Sequence, residues 1–343
     1  MKIHIGGAVR RVAVAAFIIM IIFITGCSDS TPENVTVSDT RFFLDTFCTI
    51  TIDVQNNATL ITEAESILEE AFSLIEHYEA LFSITAVGSD IWRINHAGGA
   101  PTSVSPETVE ILEAGIYHGR LSDGKFDITI GRLTRLWDFS GQSGLPDEAD
   151  LRDAAATVDY RTVSISGNTV TLENSDTMID LGGIAKGFML DRLGDFLRGA
   201  GVSGAVIDLG GDVSVVGQRP HGGEWRIGVR QPFARDAGLL GVITTSEAAI
   251  ITSGVYERRF EYNDISYHHI LDPQTGMPVA SDIISATIVT KNALYGDALT
   301  SVVLHVGSVV ASDLLQESPH VIGALLVLRS GEIIKIGDVV FEQ

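Results

Sequence analysis

Two cysteines, Cys27 and Cys48, are all this 343-residue chain contains. So few exclude a cysteine-built metal site and a disulfide-stapled scaffold. Proline is scarce too, at nine residues, while apolar side chains make up 45% of the chain. That balance excludes a disordered, low-complexity polypeptide. Positive charge is short: 23 Lys and Arg stand against 44 Asp and Glu, a net charge of −21. Such a surface excludes nucleic acid as a partner, and excludes charge-driven binding to an anionic membrane. One uninterrupted apolar run, Val12 to Ile24, reaches 13 residues, short of the roughly 20 that span a bilayer.

What that run does have is the layout of a signal peptide. Arg10 and Arg11 precede it, and it ends in Ile24-Thr25-Gly26-Cys27 before the polar Ser28-Asp29-Ser30. The tetrapeptide resembles a bacterial lipobox, in which the cysteine becomes the lipidated first residue of the mature chain. Residues 1–26 are therefore read as a lipoprotein signal peptide, Cys27 as the acylated residue, and 27–40 as a polar tether. Residues 41–343 follow as one domain without a composition break. Cleavage would remove Lys2, Arg10 and Arg11 and no acids, leaving 20 basic against 44 acidic residues, net −24. The lipid, not charge, would then hold the protein on the extracytoplasmic face of a bacterial cell membrane. With Cys27 acylated, Cys48 has no intrachain partner.

Periodicity gives the elements. Phe42–Val54 alternates as a strand does. Ala58–Phe82 carries Leu60, Ala64, Ile67, Leu68, Ala71, Phe72, Ile75, Tyr78 and Phe82 on one helical face. Pro106–Leu121 is a second helix, with Ser105 as its cap. Gly141–Asp150 reads as a loop. Thr162–Ile165 and Thr169–Leu172 form a hairpin, and the stretches 205–209, 213–216, 225–229, 239–244, 248–252 and 283–289 form a run of strands. Helices follow at Ala293–Val306 and Val309–Leu315, then strands at Val321–Leu328 and Ile333–Ile336. Consecutive strands between helices imply an α+β fold with a largely antiparallel sheet flanked by helices. The pentapeptide IDLGG occurs at Ile179–Gly183 and again at Ile207–Gly211, a hint of two related halves.

The chemistry gathers around DLGGIAKGFMLD, Asp180 to Asp191. An apolar run brings an aspartate to Gly182-Gly183, and a helix opens with Lys186 in its first turn. Free N–H groups, a positive dipole end and a lysine suit a phosphate-bearing ligand, and a tight structural turn needs the same glycines. Four further stretches are dense in useful side chains: DGKFD at 123–127 with Trp137, DLGGD at 208–212, SGVYER at 253–258 with HHILDPQTGMP at 268–278, and DALTS at 297–301. Each has a structural alternative, a turn for Asp272-Pro273 and a local cap for Asp208. Asp297 differs, because it sits within an apolar helix where an unpaired carboxylate is costly. A cation is one natural partner, and Ser301 one turn on supplies a second oxygen. Carboxylate, hydroxyl and carbonyl oxygens suit Mg²⁺ better than zinc.

Taken in order, GKFDITIGRLTRLW, DLGGIAKGF, DLGGD, SGVYERRF, YHHILDPQTGMPV and DALTS resemble the ApbE family of FAD:protein FMN transferases, over nearly all of the mature chain. The resemblance implies an ApbE-like fold. It also implies a reaction in which FMN passes from FAD to a threonine hydroxyl of an acceptor protein, with Mg²⁺ required and AMP released. It implies metal binding by Asp297 and Ser301, with the Gly183 carbonyl and the Thr300 main chain nearby. FAD contacts fall to Asp180 and Lys186, with Leu44, Thr85, Gly124, Lys125, Phe126 and Ile270 lining the site. His269 matches the base on the acceptor hydroxyl; His268 matches nothing and reads as structural. Ser301 stands where many members have threonine, Gly183 where alanine is common, and Thr85 where some have an aromatic ring. The acceptor implied is a flavin-carrying subunit of a membrane redox complex. Two other readings of the same site are an FAD pyrophosphatase, giving FMN and AMP, and a lipid-anchored flavin-binding protein without activity.

Overall fold

The computed structural model describes residues 34–139, 144–219, 222–233 and 238–343. The signal peptide, Cys27 and the first residues of the tether lie outside them. Eight strands build the central sheet: Asn34–Phe43, Thr46–Gln55, Gly204–Leu209, Asp212–Gly217, Ala248–Gly254, Ile283–Thr290, Val321–Leu328 and Ile333–Gly337. Every neighbouring pair is antiparallel, and spatial order follows chain order. The sheet is a meander with long insertions, and the α+β expectation holds.

Alternation decides the faces. In Thr46–Gln55, Cys48, Ile50 and Ile52 are buried toward the helices. The opposite face carries hydroxyl pairs across to the first strand, Ser38–Thr51 and Thr40–Thr49, each at 2.9 Å. Three helices cover the inner face. Ala58–Phe82 is capped by Asn57, which accepts from Thr59 and Leu60 N–H. Its Tyr78 and Phe82 meet Phe188 of the Ala185–Gly199 helix edge-on, with ring centroids 5.3 and 5.2 Å apart. The Ala293–Glu317 helix packs on both that helix and the sheet. It is long and apolar enough to cross a bilayer, yet Ala298, Leu299, Val302 and Val303 are buried in the core. It kinks at Gly307, where φ is +77°, and Asp282 caps its second half through Ser308 N–H at 3.0 Å. That kink is the predicted break after Val306. A three-stranded sheet, Trp225–Arg230, Leu239–Thr245 and Val340–Glu342, covers the other face over Val215, Ile250, Val289 and Leu325.

Three expectations change. The tether does not extend to residue 40: from Asn34 the polar side chains belong to an edge strand, where they pair across to Thr49, Thr51 and Asp53. Phe42–Val54 is two strands, because Leu44 and Asp45 turn with φ of +55° and +57°. A two-residue hairpin turn of this kind favours Asn-Gly, so Leu-Asp gives no signal. The loop expected at Gly141–Asp150 gives way at Glu148 to a helix, Glu148–Ala155, capped by Asp147. The two IDLGG segments also diverge: Gly210 and Gly211 make a hairpin turn with φ of +68° and +99°, while the first leads into a helix.

Candidate active site

Lys186 is in the first turn of the Ala185–Gly199 helix, as expected, and Asp212 opens the strand after Gly210-Gly211. The two form an ion pair. Asp212 is 1% exposed, and its other oxygen accepts Thr252 N–H at 2.9 Å. Behind the pair is Asp297, 4% exposed, whose Oδ2 accepts Gly187 N–H at 2.9 Å. Burial pushes the Asp297 carboxyl up to about 7; Asp212 adds to the rise and Lys186 opposes it. Burial disfavours the Lys186 cation as well, but Asp212 and Asp297 outweigh it and raise that group above the usual lysine range.

The helix carrying Asp297 is itself held by a carboxylate. Asp191 accepts Ala293 and Leu294 N–H at 2.8 and 2.9 Å, which fixes the helix N-terminus against Lys186's own helix. One turn on, Thr300 donates to the Asp297 carbonyl at 2.7 Å and shares a hydrogen bond with Ser253 at 2.8 Å. Its hydroxyl is thereby occupied. Ser301 stays next to Gly183, where a Cβ on Gly183 would lie 3.8 Å from Ser301 Oγ and 3.2 Å from the Phe126 ring. His305 steadies this turn by bridging the Ser301 and Leu271 carbonyls at 2.8 and 3.0 Å.

Among the described residues no three His, Cys, Asp or Glu side chains converge as a metal cluster. The oxygen donors the structure puts here are the Asp297 carboxylate and, one turn on beside Gly183, the Ser301 hydroxyl. Burial, with Asp212 adding to it, holds the Asp297 carboxyl above the usual carboxylate range, so its anion is short of positive charge. A carboxylate and a hydroxyl are hard donors of the kind a small divalent cation such as Mg²⁺ takes.

The other expected residues fall as follows. Asp180 accepts Gly182 N–H at 2.8 Å and the Thr134 hydroxyl at 2.7 Å, which fixes the glycine turn. Gly124, with φ of +75°, turns the chain so that Phe126 N–H reaches Ser122 Oγ at 3.0 Å, and Phe126 packs beside Gly183. Lys125 follows in the same turn, its N–H on the Ser122 carbonyl at 3.2 Å. Leu44 tops the first hairpin, its N–H held by Glu79 at 2.8 Å. Thr85 is exposed and bonds only locally, to Ser83 at 3.2 Å, so no contact ties it to the cluster. Ile270 is buried, and its carbonyl accepts Val279 N–H at 2.9 Å.

His269 lies close enough to feel Lys186 and Arg258. Burial, then Arg258 and His268, lower it to about 4, so the ring is neutral at pH 7. Its Nδ1 is buried without a hydrogen-bond partner among the described residues. His268 is lowered to about 4 by burial as well, and its Nε2 faces the Val279 carbonyl at 3.2 Å. Clefts of about 730 Å³, beside Gly124, Arg152 and Tyr160, and about 590 Å³, beside His268 and Arg329, flank these elements; neither is lined by Asp297 or Lys186. Sequence reasoning assigned no role to Asp212, Asp191, Gly187 or His305. Asp212 had a signal, an acid directly after DLGG; the others act only through contacts made by folding.

Residues 44–326 match the ApbE family. The FAD:protein FMN transferase of Klebsiella pneumoniae (strain 342) is 34% identical over 280 residues, covering 80% of this chain and 86% of that one. That of Treponema pallidum (strain Nichols) is 31% identical over 277 residues, covering 76% of each. The crystal structure of the ApbE protein of Thermotoga maritima superposes with a TM-score of 0.78 at 29% identity, covering 88% of this chain and 97% of that one. The flavin transferase ApbE of Vibrio cholerae shares the fold, with a TM-score of 0.75 at 24% identity over 88% of this chain and 96% of that one. With its motifs in order along a match this long, the chain belongs to the ApbE family.

Proposed function

We propose that this protein transfers FMN from FAD to a threonine hydroxyl of an acceptor protein, releasing AMP. The observation that carries the reading is the Lys186–Asp212–Asp297 cluster near His269, a neutral imidazole whose buried Nδ1 has no hydrogen-bond partner among the described residues. In the reaction the P–O bond between the two phosphorus atoms of FAD breaks. A new P–O bond forms from the threonine Oγ to the FMN phosphorus, and AMP leaves with the bridging oxygen. Lys186 supplies positive charge for the pyrophosphate. His269 accepts the threonine proton; a neutral imidazole with a free lone pair is the form that can do so. Asp297, Ser301 and the Gly183 and Thr300 carbonyls are the residues that would hold Mg²⁺. When bound, Mg²⁺ would neutralise pyrophosphate charge. Asp180 fixes the glycine turn over which the ligand lies.

The test is incubation with FAD, Mg²⁺ and a flavin-accepting domain of a membrane redox complex. Flavin fluorescence on the denatured acceptor supports transfer. Free FMN alone assigns a pyrophosphatase, and unchanged FAD a binding protein. Anchoring through Cys27 belongs to the same proposal, supported by the ITGC sequence ending the apolar run. Cys27→Ser should remove the acyl mass and release the protein from the membrane fraction; retention there without any acyl mass on the wild type defeats it.

A further inference from the structure

The Arg259–Tyr262 and Ile265–His268 strands form a hairpin outside the central sheet. Its turn is two residues, Asn263 and Asp264, with φ of +50° and +61°. In such a hairpin the pair next to the turn, Tyr262 and Ile265, exchanges both hydrogen bonds, and the pattern then alternates. The peptide groups of Ser266 and His268 therefore point outward. The same alternation is met again at His269, whose N–H donates to the Arg258 carbonyl at 3.0 Å. Past His269 the outer edge is taken: Val279 N–H donates to Ile270 at 2.9 Å, and Asp272 N–H to Met277 at 2.8 Å. Among the described residues, then, the outer peptide groups from Ser266 to His268 have no backbone partner, and this edge stops at His269.

That edge borders a groove of about 590 Å³ lined by Ile265, Ser266, His268, Met277, Val279 and Arg329, among others. Ile265 is 56% exposed and Met277 38%, so apolar surface lies in water here. His268, 6% exposed, has its Nδ1 without a partner among the described residues. The groove is also a positive spot on a chain of net charge −21. Arg259 is matched by Glu261 at 2.9 Å, whereas no carboxylate among the described residues pairs with Arg329, which reaches only the Ser281 carbonyl at 3.3 Å.

We infer that this groove is the docking site of the acceptor polypeptide, which adds to the Ser266–His268 edge as an extended segment and so brings its threonine to His269. The inference rests on the transferase reading above. Main-chain hydrogen bonds to an open edge give sequence-tolerant affinity, and flanking pockets give choice. The segment that fits is acidic and apolar: a carboxylate for Arg329 and aliphatic side chains over Ile265 and Met277. No reacting bond lies in the groove, which only positions the hydroxyl.

The experiment uses membranes from a host strain lacking this gene, with FAD, Mg²⁺ and purified enzyme, and reads covalent flavin as in-gel fluorescence of denatured protein. Ser266→Pro removes the outward N–H, and edge strands tolerate proline there. Arg329→Glu reverses the charge facing the acceptor. Both should bind FAD as the wild type does and label protein at least about tenfold more slowly, with Arg329→Lys recovering most of the rate. If Ser266→Pro loses its thermal transition, Ile265→Asp replaces it. Labelling at the wild-type rate by Arg329→Glu and either edge variant overturns the docking site. Absence of labelling by the wild type itself, with free FMN formed instead, removes the transferase reading and the docking site with it.

Discussion

Gly187 and Asp297 touch backbone to carboxylate: the Gly187 N–H donates to Asp297 Oδ2 at 2.9 Å, and no side chain fits between them. A Cβ on Gly187 would lie 2.4 Å from the Ala293 carbonyl oxygen and 2.7 Å from Asp297 Cβ. The glycine therefore sets how closely the two site-bearing helices approach. Gly187→Ala should force them apart, at a cost of roughly 1–3 kcal/mol typical of overpacking. Asp297 would shift relative to Lys186, and FAD turnover should fall far more than the melting temperature alone accounts for. Thermal unfolding and turnover measured together check it. A variant as stable and active as the wild type would show that the helices have slack.

Asp297 gives a prediction about stability as well as activity. Its folded carboxyl is raised from 3.8 to about 7. Between those values the folded chain keeps a proton the unfolded chain has lost, so this group's contribution falls as pH rises through that window. Asp297→Asn removes the burden. Without metal, the variant should melt above the wild type at pH 8, with the gap closing toward pH 4. Added Mg²⁺ should raise the melting temperature of the wild type only, since the ligand stabilises the state that binds it. Transfer should be lost. An equal Mg²⁺ response in both proteins would take the metal away from Asp297.

Much of this was written in local patterns. Ala58–Phe82 and Pro106–Leu121 emerge with the expected ends because a period-3.6 apolar stripe and a capping residue coincide at each. Asp297 was legible because a carboxylate inside an apolar stripe contradicts its surroundings. Short elements were not: Gly131–Leu136 has only six residues and no side-chain cap, too little for a period to repeat. The strand Asn34–Phe43 reads as polar because one of its faces meets water. Asp191, Gly187 and His305 were invisible for another reason. Their partners lie 102, 110 and 34 residues away in sequence, at Ala293, Asp297 and Leu271, and only the folded chain brings them together.

The Lys186–Asp212 pair predicts non-additive energetics. Lys186→Met would leave Asp212, 1% exposed, without its cation. Removing one partner of a buried pair costs about 3–5 kcal/mol; the low end applies here, because the Lys186 side chain keeps 27% of its exposure. Lys186→Met/Asp212→Asn should recover most of that loss, as the asparagine keeps an oxygen for Thr252 N–H. FAD affinity should stay low in both, since the phosphate-facing charge is absent. Urea denaturation and FAD titration of the four proteins close the cycle. A single variant as stable as the wild type would mean that Asp212 finds another partner.

His269 separates binding from chemistry. A base that takes a proton in the transition state lowers the barrier without holding the ground-state ligand. His269→Ala should therefore bind FAD with near wild-type affinity and label acceptor about a hundred- to ten-thousand-fold more slowly. His268→Ala should slow labelling far less. His268 Nε2 sits on the Val279 carbonyl, so its loss disturbs a wall of the site, not the proton transfer. Acidity gives a second readout. His269 is lowered to about 4 by burial, then Arg258 and His268, so the neutral ring persists well below the usual histidine range. With Mg²⁺ saturating, so that Asp297 stays ionised, the acid limb of kcat/KM, which reports the free enzyme, should fall near pH 4 and not near 6.5. In His269→Ala that limb should be absent from the residual rate. Single-turnover labelling across pH, beside fluorescence titration of FAD, measures both. A wild-type labelling rate in His269→Ala, or a defect made entirely of lost FAD affinity, would make this histidine a structural or ligand-binding residue.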